Sequence, residues 1–160
     1  MKRYRTYLIA LAIPVLAALV STTAAQQEIE VAVIVNPENP VSSISSADLR
    51  RIFAGDKQSW SNTLPVFAVV RQPEARERRV LLRQVLKMTE PEYKQYWLRK
   101  VYSGEAPQEP VAVYSNGMQL EAVRAKRGGI ALISVQDVRA GVKIIKVDGY
   151  SPGSPDYPFK

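Results

Sequence analysis

The chain has 160 residues, a formal net charge of +7, and neither cysteine nor histidine. That length suits one domain with at most a small appendage. Without cysteine there is no disulfide, no lipid attached through a thiol and no thiol nucleophile; without histidine the commonest general base and metal ligand are missing as well.

Lys2, Arg3 and Arg5 precede an apolar run from Leu8 to Val20, and Thr23-Ala24-Ala25 supplies small residues for cleavage. This pattern predicts a secretory leader over residues 1–25, cut after Ala25, and hence a periplasmic protein. Pro14 inside the run speaks against a permanent membrane helix, with an uncleaved membrane anchor as the alternative. Removing the leader's three basic residues lowers the charge from +7 to about +4. Such a mild excess, without a concentrated basic stripe, does not predict nucleic acid as a partner.

The predicted body is an α/β domain over residues 26–150. Ile29 to Val35 alternate and then run apolar, as a buried strand does, and Asn36-Pro37-Glu38-Asn39-Pro40 ends it. Leu49, Ile52 and Phe53 then share one face of a short helix, with Ser45 as N-cap, Asp48 in the first turn and Gly55 as left-handed stop. Asp56 to Thr63 is a polar loop in which Trp60 is expected to plug the helix end. Leu64 to Val70 reads as a second strand.

Pro73 to Lys87 is predicted helical, with Pro73 in the first position. Leu81, Leu82, Val85 and Leu86 make its buried stripe, and Arg76, Arg78, Arg79 and Arg83 its solvated face. Thr89, Pro91 and Glu92 start another helix, whose inner face is predicted as Tyr93, Tyr96, Trp97, Lys100 and Val101. After a loop over residues 103–110 come a short strand, Val111 to Tyr114, and a helix opened by Ser115. That helix carries Met118, Ala122, Val123 and Ala125 and is stopped by Gly128-Gly129. Ile130 to Ser134 and Val142 to Val147 are the last strands, joined by a turn or short helix over Val135 to Arg139. Residues 151–160 form a Pro/Gly-rich irregular tail. Strands alternating with helices predict a layered α/β sheet.

The string Val33-Ile34-Val35-Asn36, then Asp48-Leu49-Arg50-Arg51-Ile52-Phe53-Ala54-Gly55, Trp60 and Val69-Val70-Arg71 resembles phosphate-type periplasmic substrate-binding proteins of ABC transporters. Arg127-Gly128-Gly129-Ile130-Ala131-Leu132 resembles that family's "G-x-I-G-Y" strand entry, with Ala131 and Leu132 in place of Gly and the aromatic. Asp148-Gly149-Tyr150 and Asp156-Tyr157-Pro158-Phe159 resemble its "D-G…Y-P-L" segment. The likeness implies a single lobe of a two-lobed clamshell. It further implies a domain that binds phosphate or another small oxyanion in ABC-type uptake or sensing; the missing histidine and cysteine predict no enzyme, cofactor or metal beside it.

The implied ligand residues are Arg71, Ala75 and Arg76, with Ser115 and Asn116 at a later helix start. Where the family has Ser-Gly-Thr after its strand-terminal Arg, this chain has Ala75-Arg76-Glu77. Glu74 and Glu77 place negative charge where an anion would sit. The alternative is an interaction or assembly module that keeps the lobe without the ligand. A protein partner or self-association is expected through the half-cleft, bordered by Tyr157-Pro158-Phe159. The membrane enters only through a transporter or an uncleaved leader. Asp48, Glu74 and Glu121 occur singly, and no Walker, Rossmann or Ser-elbow pattern suggests an enzyme.

Overall fold

In the computed structural model, which describes residues 29–61 and 63–160, the strand β1 (Val31–Val35) is buried along its whole length. Its side chains alternate, Val31, Val33 and Val35 entering one apolar layer and Ile34 the other. A strand buried on both faces needs a neighbour on each edge, and β1 has two antiparallel ones: β7 (Gly129–Ser134) and β8 (Lys143–Val147). Outside β8 lies β2 (Ser43–Ile44), a two-residue parallel pairing with no periodicity to betray it. Beyond β7 come β5 (Phe67–Arg71) and β6 (Val111–Val113), parallel to each other, with β5 parallel to β7. The mixed sheet runs β2-β8-β1-β7-β5-β6. Helices pack on both faces, so the layered α/β architecture expected from the sequence is found.

The larger layer holds α1 (Ser46–Phe53), whose Leu49, Ile52 and Phe53 are buried. Ser45 caps it by accepting from the Asp48 N–H at 3.1 Å. Asp48 does not reach back to complete a capping box but binds Lys57 at 2.9 Å. Gly55 ends the helix at φ +75°, and a Cβ there would lie 2.5 Å from the Trp97 ring. Trp97, not Trp60, therefore closes the helix end. Trp60 belongs to a hairpin of β3 (Ser59–Ser61) and β4 (Leu64–Pro65), and its indole N–H donates to the Gly128 carbonyl at 3.0 Å.

The strand expected over residues 64–70 is thus divided. Pro65 has no N–H to offer an interior ladder, and the Val66 N–H goes to the Gln58 carbonyl at 2.9 Å. The helix expected from Pro73 starts later, at α2 (Arg76–Val80), because Glu74 sits at φ +74° and breaks the entry. It widens into a π-helical segment, Leu81–Leu86, and stops at left-handed Lys87. Leu81, Leu82, Val85 and Leu86 are buried as expected. Arg78 is not on a solvated face: it is buried, bonds Glu90 through Nε at 3.0 Å and Nη2 at 2.8 Å, and lies 4.0 Å from the Tyr93 ring centre.

Thr89 and Glu92 form the full capping box of α3 (Glu90–Tyr102), with Pro91 in its first turn. The buried face is Tyr93, Trp97 and Lys100; Val101 is exposed. Lys100 bonds both Asp56 and the Tyr96 hydroxyl. On the opposite layer, α4 (Asn116–Ala125) buries Gln119, Leu120 and Val123 against Ile34, Val69 and Ile133. Of the apolar residues this helix carries, Val123 is buried, whereas Met118 and Ala125 are exposed.

From Ser151 the chain runs in turns, without helix or strand. Its aromatics do not border an open face. Tyr157 and Phe159 are buried, the Tyr157 hydroxyl donates to the Val31 carbonyl at 2.9 Å, and the Val31 N–H donates to the Phe159 carbonyl at 3.0 Å. The expected leader, residues 1–25, lies outside the described residues; among those described, no helix is long and apolar enough to cross a membrane.

Phe53 is fully buried. Phe53→Ala is expected to lower folding stability by about 3–5 kcal/mol, measured by urea unfolding. A loss below about 1 kcal/mol, the scale of surface substitutions, would show that this face is not core.

Candidate functional site

Parallel strands bring their carboxyl ends to one edge of a sheet, and α/β proteins place ligand sites outside such ends. Here β5 ends at Arg71, β6 runs into Tyr114, Ser115 and Asn116, and β7 ends at Ser134 before a 3-10 turn over Val135–Asp137. α2 crosses above them and contributes Glu77. Arg71, Glu77, Asn116, Ser134 and Asp137 therefore converge from three stretches of chain, residues 71–77, 114–116 and 134–137.

Their polar groups form one network. The Arg71 guanidinium donates to the Asn116 side-chain oxygen, and its Nη2 donates to the Tyr114 carbonyl at 3.0 Å. Arg71 Nη1 lies 3.9 Å from Glu77 Oε2, with both side chains nearly buried. Glu77 Oε1 accepts three hydrogen bonds: from the Ser134 N–H at 3.1 Å, the Ser134 hydroxyl at 2.5 Å and the Asn116 amide at 3.0 Å. The same Asn116 amide donates to Asp137 Oδ2 at 2.7 Å. Arg71 Nε is buried without an acceptor.

Burial alone would push the Glu77 carboxyl up, since it disfavours the charged form. The hydrogen bonds from Ser134 and Asn116 outweigh it, and the pKa lies below its ordinary value of 4.5. One cation thus shares a network with two carboxylates: Glu77, buried and held ionised, and Asp137, joined to it through the Asn116 amide. The two negative charges outnumber the one positive charge, and the cluster repels a further anion.

Of the residues expected to bind ligand, Arg71 and Asn116 meet in this network. Ser115 stands beside it, but its hydroxyl caps α4 by accepting from the Met118 N–H at 3.1 Å. Ala75 is the N-cap of α2 without a side-chain hydrogen bond. Neither Ala75 nor Arg76 joins the network. Glu77 was read only as a repulsive charge, while Ser134 and Asp137 went unnoticed. A serine closing the apolar run Gly129–Ser134 was the available signal, since a buried hydroxyl needs a partner.

Two concavities lie elsewhere. One of about 230 Å³ opens between the end of α1, the β3–β4 hairpin and the loop over residues 103–110, with Ile52, Phe67 and Trp97 among its walls. The other, about 300 Å³, is bordered by Ser46, Arg50, Lys87 and Phe159. Neither is lined by Arg71, Glu77 or Asn116.

A mixed sheet with helices on both faces and a polar cluster at its strand ends defines a lobe of the periplasmic-binding-protein type. The chain belongs to the PBP superfamily domain family, which matches residues 28–154. Its fold is similar to that of an ABC-type phosphate transport receptor from Vibrio cholerae, at 20% identity and TM-score 0.61, covering 77% of this chain and 48% of that one. PstS from Borrelia burgdorferi gives 18% identity and TM-score 0.63, with 81% and 53% covered. A phosphate-bound Clostridium perfringens protein assigned as a phosphate ABC transporter substrate-binding protein gives 21% identity and TM-score 0.62, with 76% and 46% covered. The chain spans about half the length of these structures. Curated protein sequences give no significant match.

Glu77 supplies a pH test. A carboxyl whose folded pKa lies below 4.5 stabilises the fold fully above that value and loses its contribution as pH falls through the lower, folded value. Glu77→Gln is expected to cost roughly 1–3 kcal/mol at pH 7 and to flatten this part of the acid limb in unfolding measurements from pH 7 to 3. An unchanged acid limb would contradict the assignment.

Proposed function

We propose that this chain is an exported, non-enzymatic binding lobe that works in the periplasm as an interaction module, not as a carrier of free phosphate. One observation carries the reading: the guanidinium that would grip an oxyanion already serves Asn116 and the Tyr114 carbonyl beside a buried, ionised Glu77. A dianion entering here would meet Glu77 and Asp137 before it gained Arg71. Tyr114 and Met118, 73% and 48% exposed, stand beside this end and offer apolar surface to a protein partner or a second copy. The basic start, apolar run and Thr23-Ala24-Ala25 support export.

The second reading is an oxyanion-binding lobe for ABC-type uptake. It draws support from Arg71 at the end of β5 and from the phosphate named for the proteins of like fold.

Isothermal titration with phosphate and sulfate, against chloride at equal ionic strength, decides between them. No saturable binding is expected up to about 1 mM, equivalent to about 4 kcal/mol of binding free energy. Saturable phosphate binding in the micromolar range, abolished by Arg71→Ala in a folded protein, would establish the second reading instead.

A further inference from the structure

We infer that Glu77 is a tethered ligand: its carboxylate occupies a small-anion site built from Arg71, Asn116 and Ser134, and thereby excludes free anions from it. The inference rests on the reading of this end as closed to free phosphate, and it names the group that closes it.

Glutamate is almost never fully buried unless paired, yet Glu77 is 4% exposed. A simple structural ion pair would bring the guanidinium and carboxylate into direct contact, in the forked geometry that Arg78 and Glu90 adopt nearby. Arg71 and Glu77 do not adopt it. Their closest approach is 3.9 Å, beyond a hydrogen bond, and the donors instead converge on Oε1: one backbone N–H, one hydroxyl and one amide. Convergent donors on one oxygen are how proteins hold an oxyanion. Arg71 Nε, on the same guanidinium, is buried without an acceptor.

Charge and size define what fits the vacated cradle. Shortening Glu77 to alanine removes one methylene and the carboxylate, a volume matched by acetate. With Glu77 gone, Asp137 is the one carboxylate left in the network, held by the Asn116 amide at 2.7 Å. One cation against one carboxylate leaves no surplus for a dianion. The vacated site therefore takes a small monovalent carboxylate in preference to phosphate.

The test is rescue of Glu77→Ala at pH 7 by sodium acetate, with sodium chloride at the same ionic strength as control and thermal unfolding as readout. Acetate is expected to raise the Tm of the variant saturably, by roughly 3 °C at ten times its midpoint. Wild type should move by less than about 1 °C, within the scatter of such measurements. Adding Ser134→Ala should weaken the acetate midpoint at least about tenfold, the loss of one hydrogen bond to a charged group. If Glu77→Ala is unfolded in chloride, its folded fraction by circular dichroism becomes the readout, and acetate should raise it.

Equal effects of acetate and chloride on Glu77→Ala, in either readout, overturn the inference, as does wild type responding to acetate with the variant's midpoint. Phosphate binding by wild type would instead sink the reading that this end is closed. A silent wild type with an unrescued variant would sink the tethered ligand alone.

Discussion

The buried Glu77 carboxylate is the constraint on which the strand ends of this lobe depend. A charge removed from water costs several kcal/mol unless its surroundings replace the lost hydration. Ser134, Asn116 and Arg71 supply that replacement from the ends of three parallel strands, and in doing so fix how those ends sit. The same contacts tie α2, the first turn of a helical stretch that continues through Leu86, to the ends of β5 and β7. Position and chemistry are thus one problem here: the group that anchors the helix is also the group at the centre of the polar network.

Beneath this end the fold is fixed by apolar layering around β1. Its edges pair with β7 and β8, its alternating side chains enter both layers, and its first residue is pinned by the tail through Phe159 and Tyr157. The tail's aromatics therefore belong to the core and are not free to form a contact rim. Burial pushes the Tyr93 phenol up to about 12, and the Arg78 guanidinium beside it stays paired with Glu90. That ion pair ties α2 to the start of α3, so both polar anchors of α2 are buried charges with complete partners.

Much of this was legible in the sequence because it is periodic or local. The Leu49, Ile52 and Phe53 face, the Thr89 capping box and the Gly55 stop each follow from a few residues whose spacing has one physical solution. The two-residue β2 has no period to read, and the division of residues 64–70 depends on pairing with β3, three to six residues upstream. The phase of α4 was set by which face met Ile34 and Ile133, a contact that Met118 and Ala125 do not announce. At the site, Arg71 and Asn116 were found through resemblance. The role of Glu77 is not legible there, because a carboxylate at a helix start reads as solvated charge until Ser134 is seen to bond it.

The most direct test of the account is the carboxyl carbon-13 titration of Glu77, followed with the Ser134 amide proton in the wild-type protein. The account predicts a Glu77 midpoint below the ordinary 4.5. It also predicts that the Ser134 amide moves with that same midpoint, and that neither signal responds to phosphate at pH 7. A midpoint at or above 4.5, or a Glu77 signal that shifts saturably with phosphate, would show that the carboxylate does not hold this site.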